Sequence, residues 1–233
     1  MMKNSSSHII AFLILSHASF SVAEAQRWEI RRLEGGLLQV RADTGLNLII
    51  RPEQGAVIPE RLKPQTSFVL GTEFDRTVLR IDGTPPSRPS REDAGEPLPP
   101  GVVAVEPVLI GVKRAGIELK TDGLKIVFAS VDLMSDQGWI TTHRDQDIDL
   151  LVLTFRDAAR LMTARMNLWV SLVKTRQILL NPTGDMPDGA AREFSNSIGN
   201  RGAMPIDTQS VLKLPQSGLK YGDRKVISLR KAG

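Results

Sequence analysis

The segment from Gly83 to Gly101, GTPPSRPSREDAGEPLPPG, constrains the fold more than any other stretch. Nine of its nineteen residues are Pro or Gly. Proline removes a backbone donor and restricts the residue before it, so neither a regular helix nor a central strand can run through this stretch. A connection of this length is unusual inside a compact domain, which predicts either a linker between two small domains or a long exposed loop. The chain therefore reads as a β-rich amino-terminal region, 26–82, and a second region, 102–180, of strands followed by a helix. A loop-rich, basic carboxyl-terminal region with short strands, 181–233, completes it.

On both sides of this segment the apolar residues come in short runs. Leu37, Leu38, Val40 and Ala42 precede Asp43-Thr44-Gly45, and Leu46, Leu48, Ile49 and Ile50 follow. Two such runs around an Asp/Thr/Gly turn predict a hairpin. Later, VVAVEPVLIGV, GIELKT and LKIVFASVDLM read as strands, the last two joined by a turn at Thr121 to Gly123.

A helix is expected to follow from Thr154. Thr154 stands where it can cap free backbone donors, with Asp157 where it favours the positive end of the helix. Phe155, Ala158, Met162, Met166, Trp169 and Val173 recur at three- and four-residue intervals, and Asn181-Pro182 supply a stop. One further turn of helix is expected around Ala190 to Phe194. The fold class is thus α+β: β-rich with one substantial amphipathic helix, split by the Pro/Gly-rich linker or loop.

Residues 1–25 combine Lys3, an apolar run from Ile9 to Leu15 and the small-residue ending Ala23-Glu24-Ala25. That order predicts a secretory signal peptide cleaved after Ala25. The expected location is extracytoplasmic: periplasmic in a two-membrane bacterium, otherwise secreted or at the cell surface. The chain has no cysteine, so disulfides contribute nothing and the fold must rest on its core or on a partner.

The formal net charge is +4, and from Arg192 onward eight Lys or Arg face three acids. A binding surface is expected from Arg156, Arg160, Arg165, Trp169 and Lys174 on the helix, with Lys220, Arg224 and Lys225 in the tail. Its partner would be an envelope protein or a surface component, with peripheral membrane contact as a second use of the same face. No nucleic-acid partner is expected.

Chemistry centres on THRDQDIDLL, Thr142 to Leu151. In a strand, His143, Asp145, Asp147 and Asp149 share one face, because side chains alternate. His143, Asp145 and Asp147 are the candidate catalytic groups, and Asp145, Asp147 and Asp149 the candidate ligands of a divalent cation. An EF-hand does not fit: its sixth position, which needs Gly, is Leu150, and its twelfth, which needs Glu, is Arg156. Zinc sites draw on several His or Cys, and beyond residue 25 the chain has His143 and no cysteine. No cofactor is expected.

By subtraction, the sequence points to an exported, non-enzymatic envelope protein with a protein-binding, adaptor or assembly role. The alternative is a carboxylate-dependent hydrolase acting on cell-wall or extracellular glycan. Such an enzyme needs two acids about 5 to 10 Å apart across a cleft.

Overall fold

The structure is a computed structural model. It describes residues 27–84, 98–110, 113–131, 147–163, 174–198, 205–215, 219 and 224–231, with backbone alone at 109, 110 and 113–115. The expected signal peptide, most of the Pro/Gly-rich segment, His143, Asp145, Arg165, Trp169 and Lys220 lie outside the described residues.

Two β-sheets face one another. The smaller contains β1 (Arg27–Arg32), β2 (Leu38–Ala42), β3 (Asn47–Arg51), β4 (Thr66–Val69) and β12 (Leu212–Pro215), in the order β12-β1-β2-β3-β4. The larger contains β5 (Thr77–Arg80), β6 (Val102–Ile110), β7 (Lys113–Lys120), β8 (Lys125–Ser130), β9 (Asp147–Phe155), β10 (Lys174–Pro182), β11 (Ile206–Gln209) and β13 (Lys225–Leu229). Its order is β11-β13-β10-β9-β8-β7-β6-β5. From β8 to β11 the neighbours run parallel, whereas β5 to β8 form an antiparallel meander.

Trp28, Ile30, Val40 and Leu48 of the smaller sheet meet Val105, Leu119, Phe128, Val152 and Leu179 of the larger in one buried core. A second core covers the other side of the larger sheet, where Val127, Leu151, Leu153, Ile178 and Val226 pack against Leu161, Phe194 and Ile198. Phe194 and Ile198 belong to α1 (Ala190–Ile198), the α-helix among the described residues. It lies where a single helical turn was expected. The protein is accordingly β-rich with one substantial helix.

The expected hairpins form. β2 and β3 pair antiparallel across Asp43 to Gly45, and Gly45 adopts φ 129°, where a side chain is disfavoured. β7 and β8 pair antiparallel across Thr121 to Gly123, where Thr121 Oγ1 accepts from the Leu124 amide at 2.9 Å. The Pro/Gly-rich segment connects β5 to β6, which are hydrogen-bonded neighbours in one sheet. Strands from both sides of it share the inter-sheet core.

The helix expected from Thr154 to Leu180 does not exist over its described ends. Thr154 and Phe155 finish β9, Ala158–Met162 form a 3₁₀ turn, and Lys174–Pro182 form β10. The reason is burial on both faces: Leu150 and Val152 face one core while Leu151 and Leu153 face the other. Strands buried on both sides read as unbroken apolar runs, and short runs of that kind match a helical period as well as a strand. Thr154 caps nothing there; its Oγ1 accepts from Asn181 Nδ2 of the adjacent strand at 3.2 Å. Asp157 is the cap instead, accepting from the Ala159 amide at 2.9 Å.

Candidate functional site

Parallel strands end together, and register places Ser130, Thr154 and Asn181 side by side at the carboxyl ends of β8, β9 and β10. This polar row directly follows the apolar row of Ala129, Leu153 and Leu180. The carboxyl edge of parallel strands is where open α/β sheets commonly receive ligands, because loops diverge there and leave a crevice. A cleft of about 390 Å³ occupies that edge, lined by Glu53, Ser130, Thr154, Arg156, Asp157, Arg160 and Thr183, among others.

Its floor is fixed by contacts between the two sheets. Asn181 is buried, and its Nδ2 donates to Gly36 O at 2.9 Å as well as to Thr154. Gly36 adopts φ 74°, and a Cβ there would lie 2.8 Å from Thr183 Cα, so glycine is required by both conformation and space. Arg32 donates to Pro182 O at 3.0 Å and to Gly184 O at 2.8 Å, tying β1 to the end of β10. Burial lowers the proton affinity of the Arg32 guanidinium, and the charge of Asp185 opposes that shift.

The rim carries the charges. Glu53 arrives from the smaller sheet just after β3, whereas Arg156 and Asp157 arrive from the larger sheet just after β9. Arg156 and Glu53 form an ion pair at 3.5 Å with side chains 83% and 62% exposed. At that exposure the pair is screened by water and contributes little, so a ligand can separate it. Asp157 is held in place by the Ala159 amide, and Ser130, Thr154 and Thr183 add hydroxyl groups.

The residues expected from the sequence divide between this cleft and other places. Arg156 and Arg160 line it. Lys174 begins β10 at the opposite end of the sheet, Arg224 Nε donates to Thr175 O at 3.0 Å, and Lys225 bonds Asp207 at 2.8 Å. They form no common surface with Arg156 and Arg160. Asp149 is buried and structural: its carboxylate accepts from the Lys125 amide at 2.9 Å, Arg176 at 2.7 Å and the Leu219 amide at 3.1 Å. Asp147 is exposed at the start of the same strand. Glu53, Thr154 and Asn181 carry no motif, and no signal in the sequence joins them.

Neither a protein-family model nor a curated protein matches the sequence. Among solved structures, the chain is similar to a proposed Zn-dependent hydrolase of the metallo-β-lactamase superfamily from Thermotoga maritima. The TM-score is 0.50 at 10% identity, covering 88% of this chain and 100% of the other. A novel metallo hydrolase from the archaeon Ignicoccus hospitalis matches with a TM-score of 0.41 at 11% identity, over 74% of this chain and 90% of its own. At such identity the likeness concerns the fold.

This finding corrects the expectation of a non-enzymatic adaptor. That expectation rested on subtraction, and the fold, shared over most of the chain, is one that a hydrolase superfamily uses. The protein-binding description and the preference against an enzyme are corrected with it. The zinc of that superfamily does not fit the residues in place. Among the described residues there is no histidine or cysteine and no group of three or more His, Cys, Asp or Glu able to hold a metal ion. Asp157 supports a 3₁₀ turn and Asp149 pairs with Arg176 at the far end of β9.

Proposed function

We propose that the protein is a carboxylate-dependent hydrolase of an acidic glycan of the cell-wall type, working in the cleft at the carboxyl ends of β8, β9 and β10. The observation that carries this reading is the convergence of Glu53 and Asp157 on one concave site from two different sheets. Glycoside hydrolysis uses two carboxylates that flank the scissile bond across a cleft. Asp157, fixed by the Ala159 amide, takes a proton from water as the water attacks the anomeric carbon. Glu53 takes up a proton once the acidic substrate draws Arg156 away from it, and gives that proton to the departing glycosidic oxygen as the C–O bond breaks. Arg156 and Arg160 supply positive charge at the rim for the acidic groups of the substrate.

Release of reducing ends from oligogalacturonate and from peptidoglycan by the purified full chain tests the reading. Glu53→Gln and Asp157→Asn should each lower release by about 100-fold, the scale of positioned acid or base catalysis. Asn still accepts the Ala159 amide, so the second variant removes charge without removing the cap. Release equal in the parent and in the double variant would sink the proposal.

A further inference from the structure

The outer face of the smaller sheet carries a cluster of cationic side chains. Trp28, Ile30, Val40 and Leu214 point into the inter-sheet core, so strand alternation turns Glu29, Arg41 and Lys213 to the opposite side. Register sets Glu29 directly between Arg41 and Lys213. Glu29 is already shared by Arg31 at 3.1 Å and Lys213 at 3.7 Å. Arg41 is exposed and has no ion pair among the described residues.

Two clefts adjoin on this face. One, of about 270 Å³, contains Arg27, Arg41 and Lys213 beside Glu29 and Asp43. The other, of about 550 Å³, contains Arg31, Arg41, Arg61 and Lys63 and no carboxylate. Arg41 belongs to both, which makes them one continuous cationic surface. Glutamine and asparagine side chains lie within it, and the Gln39 amide donates to Asn47 Oδ1 at 2.9 Å, which fixes both groups.

We infer that this face binds a linear acidic polysaccharide, laid across the strands as a platform separate from the cleft. Guanidinium groups take carboxylates as paired donors; Arg31 and Arg41 project from neighbouring strands, and Arg61 and Lys63 come from the 3₁₀ turn at Glu60–Leu62 beside them. The lining includes no aromatic ring, which single-stranded nucleic acid would need for base stacking. Ala42 and Leu62 are its apolar members, too little to enter a bilayer. The choice of a glycan rests on the hydrolase reading of the cleft, whereas the cationic face itself does not.

Fluorescence polarisation of labelled oligogalacturonate with the full chain, at low and moderate salt, tests this. The Arg41→Glu, Arg61→Glu, Lys63→Glu triple variant should weaken binding by at least about tenfold, and the corresponding Gln variant by less, because attraction scales with local charge. Arg192→Glu, on α1 beyond the larger sheet, should leave binding within about twofold. Circular dichroism verifies that each variant is folded. Equal weakening by Arg192→Glu would reduce the effect to net charge and overturn the platform, as would equally tight binding of duplex DNA at the same salt. Asp157→Asn should keep polymer binding while losing turnover. If no variant alters turnover but the triple variant still loses binding, the cleft reading fails and the platform stands; turnover with binding indifferent to the triple variant removes the platform alone.

Discussion

The two ends of the same parallel strands use similar side chains in opposite ways. At the amino end, Asp149 of β9 is enclosed by Arg176 and by the Lys125 and Leu219 amides, and Arg176 also donates to Leu219 O. Both carboxylate oxygens accept hydrogen bonds there, so the carboxylate clamps β8, β9, β10 and the segment at Leu219. At the carboxyl end of β9, Asp157 has one amide contact and faces a cleft, with Arg156 paired only to an exposed Glu53. An Asp/Arg pair is thus structural or available according to burial and the number of fixed donors around it, and not according to residue type.

The sharpest way to break that contrast is at the closed end. Asp149→Ala removes the buried carboxylate that accepts from Arg176 and from the Lys125 and Leu219 amides, and should cost about 3 kcal/mol in denaturant unfolding. A loss no larger than that of an exposed carboxylate would erase the distinction between the two ends. Next, at the open end, Gly36→Ala forces a side chain onto φ 74° and within 2.8 Å of Thr183 Cα. About 2 kcal/mol should be lost, seen as a lower Tm.

Asn181→Ala should be milder, about 1 kcal/mol by denaturant unfolding. The substitution removes donors from Gly36 O and Thr154 Oγ1, but it also removes Asn181 Oδ1, which is buried with no hydrogen-bond partner among the described residues. These losses oppose one another.

The smallest effect concerns an exposed carboxylate outside both ends. Asp82 is lowered from 3.8 to about 2, first by the Thr84 hydroxyl, then by the Thr84 amide and Arg80. A depressed carboxylate contributes stability above its unfolded value, and that contribution fades as pH falls from about 3.8 through about 2. The difference in Tm between parent and Asp82→Asn should therefore be largest above pH 5 and close near pH 2. A difference that persists at the acid limit would show that the turn depends on shape rather than charge.

Much of the local structure is legible from particular residues. Asp43-Thr44-Gly45 and Thr121 to Gly123 mark their hairpins because turn chemistry acts over a few residues. The stretch after Thr154 misleads, since Phe155, Ala158 and Met162 satisfy a helical spacing while β9 and the 3₁₀ turn divide them. Burial on both faces of β9 and β10 removes the alternation that would distinguish a strand. Asp149 misleads in the same way: position in a strand gives its face, but its partner Arg176 lies on another strand.

The hairpin turns, the apolar strands flanking them, the absence of thiols and the excess of positive charge are all legible along the chain. These depend on composition and on neighbours along the chain. Only the tertiary structure decided that β5 and β6 pair on either side of the Pro/Gly-rich segment, that Asn181 meets Gly36 across 145 positions, and that Arg156 meets Glu53 across 103. Such contacts arise from the packing of two sheets and the register of parallel strands, for which no local periodicity provides a signal.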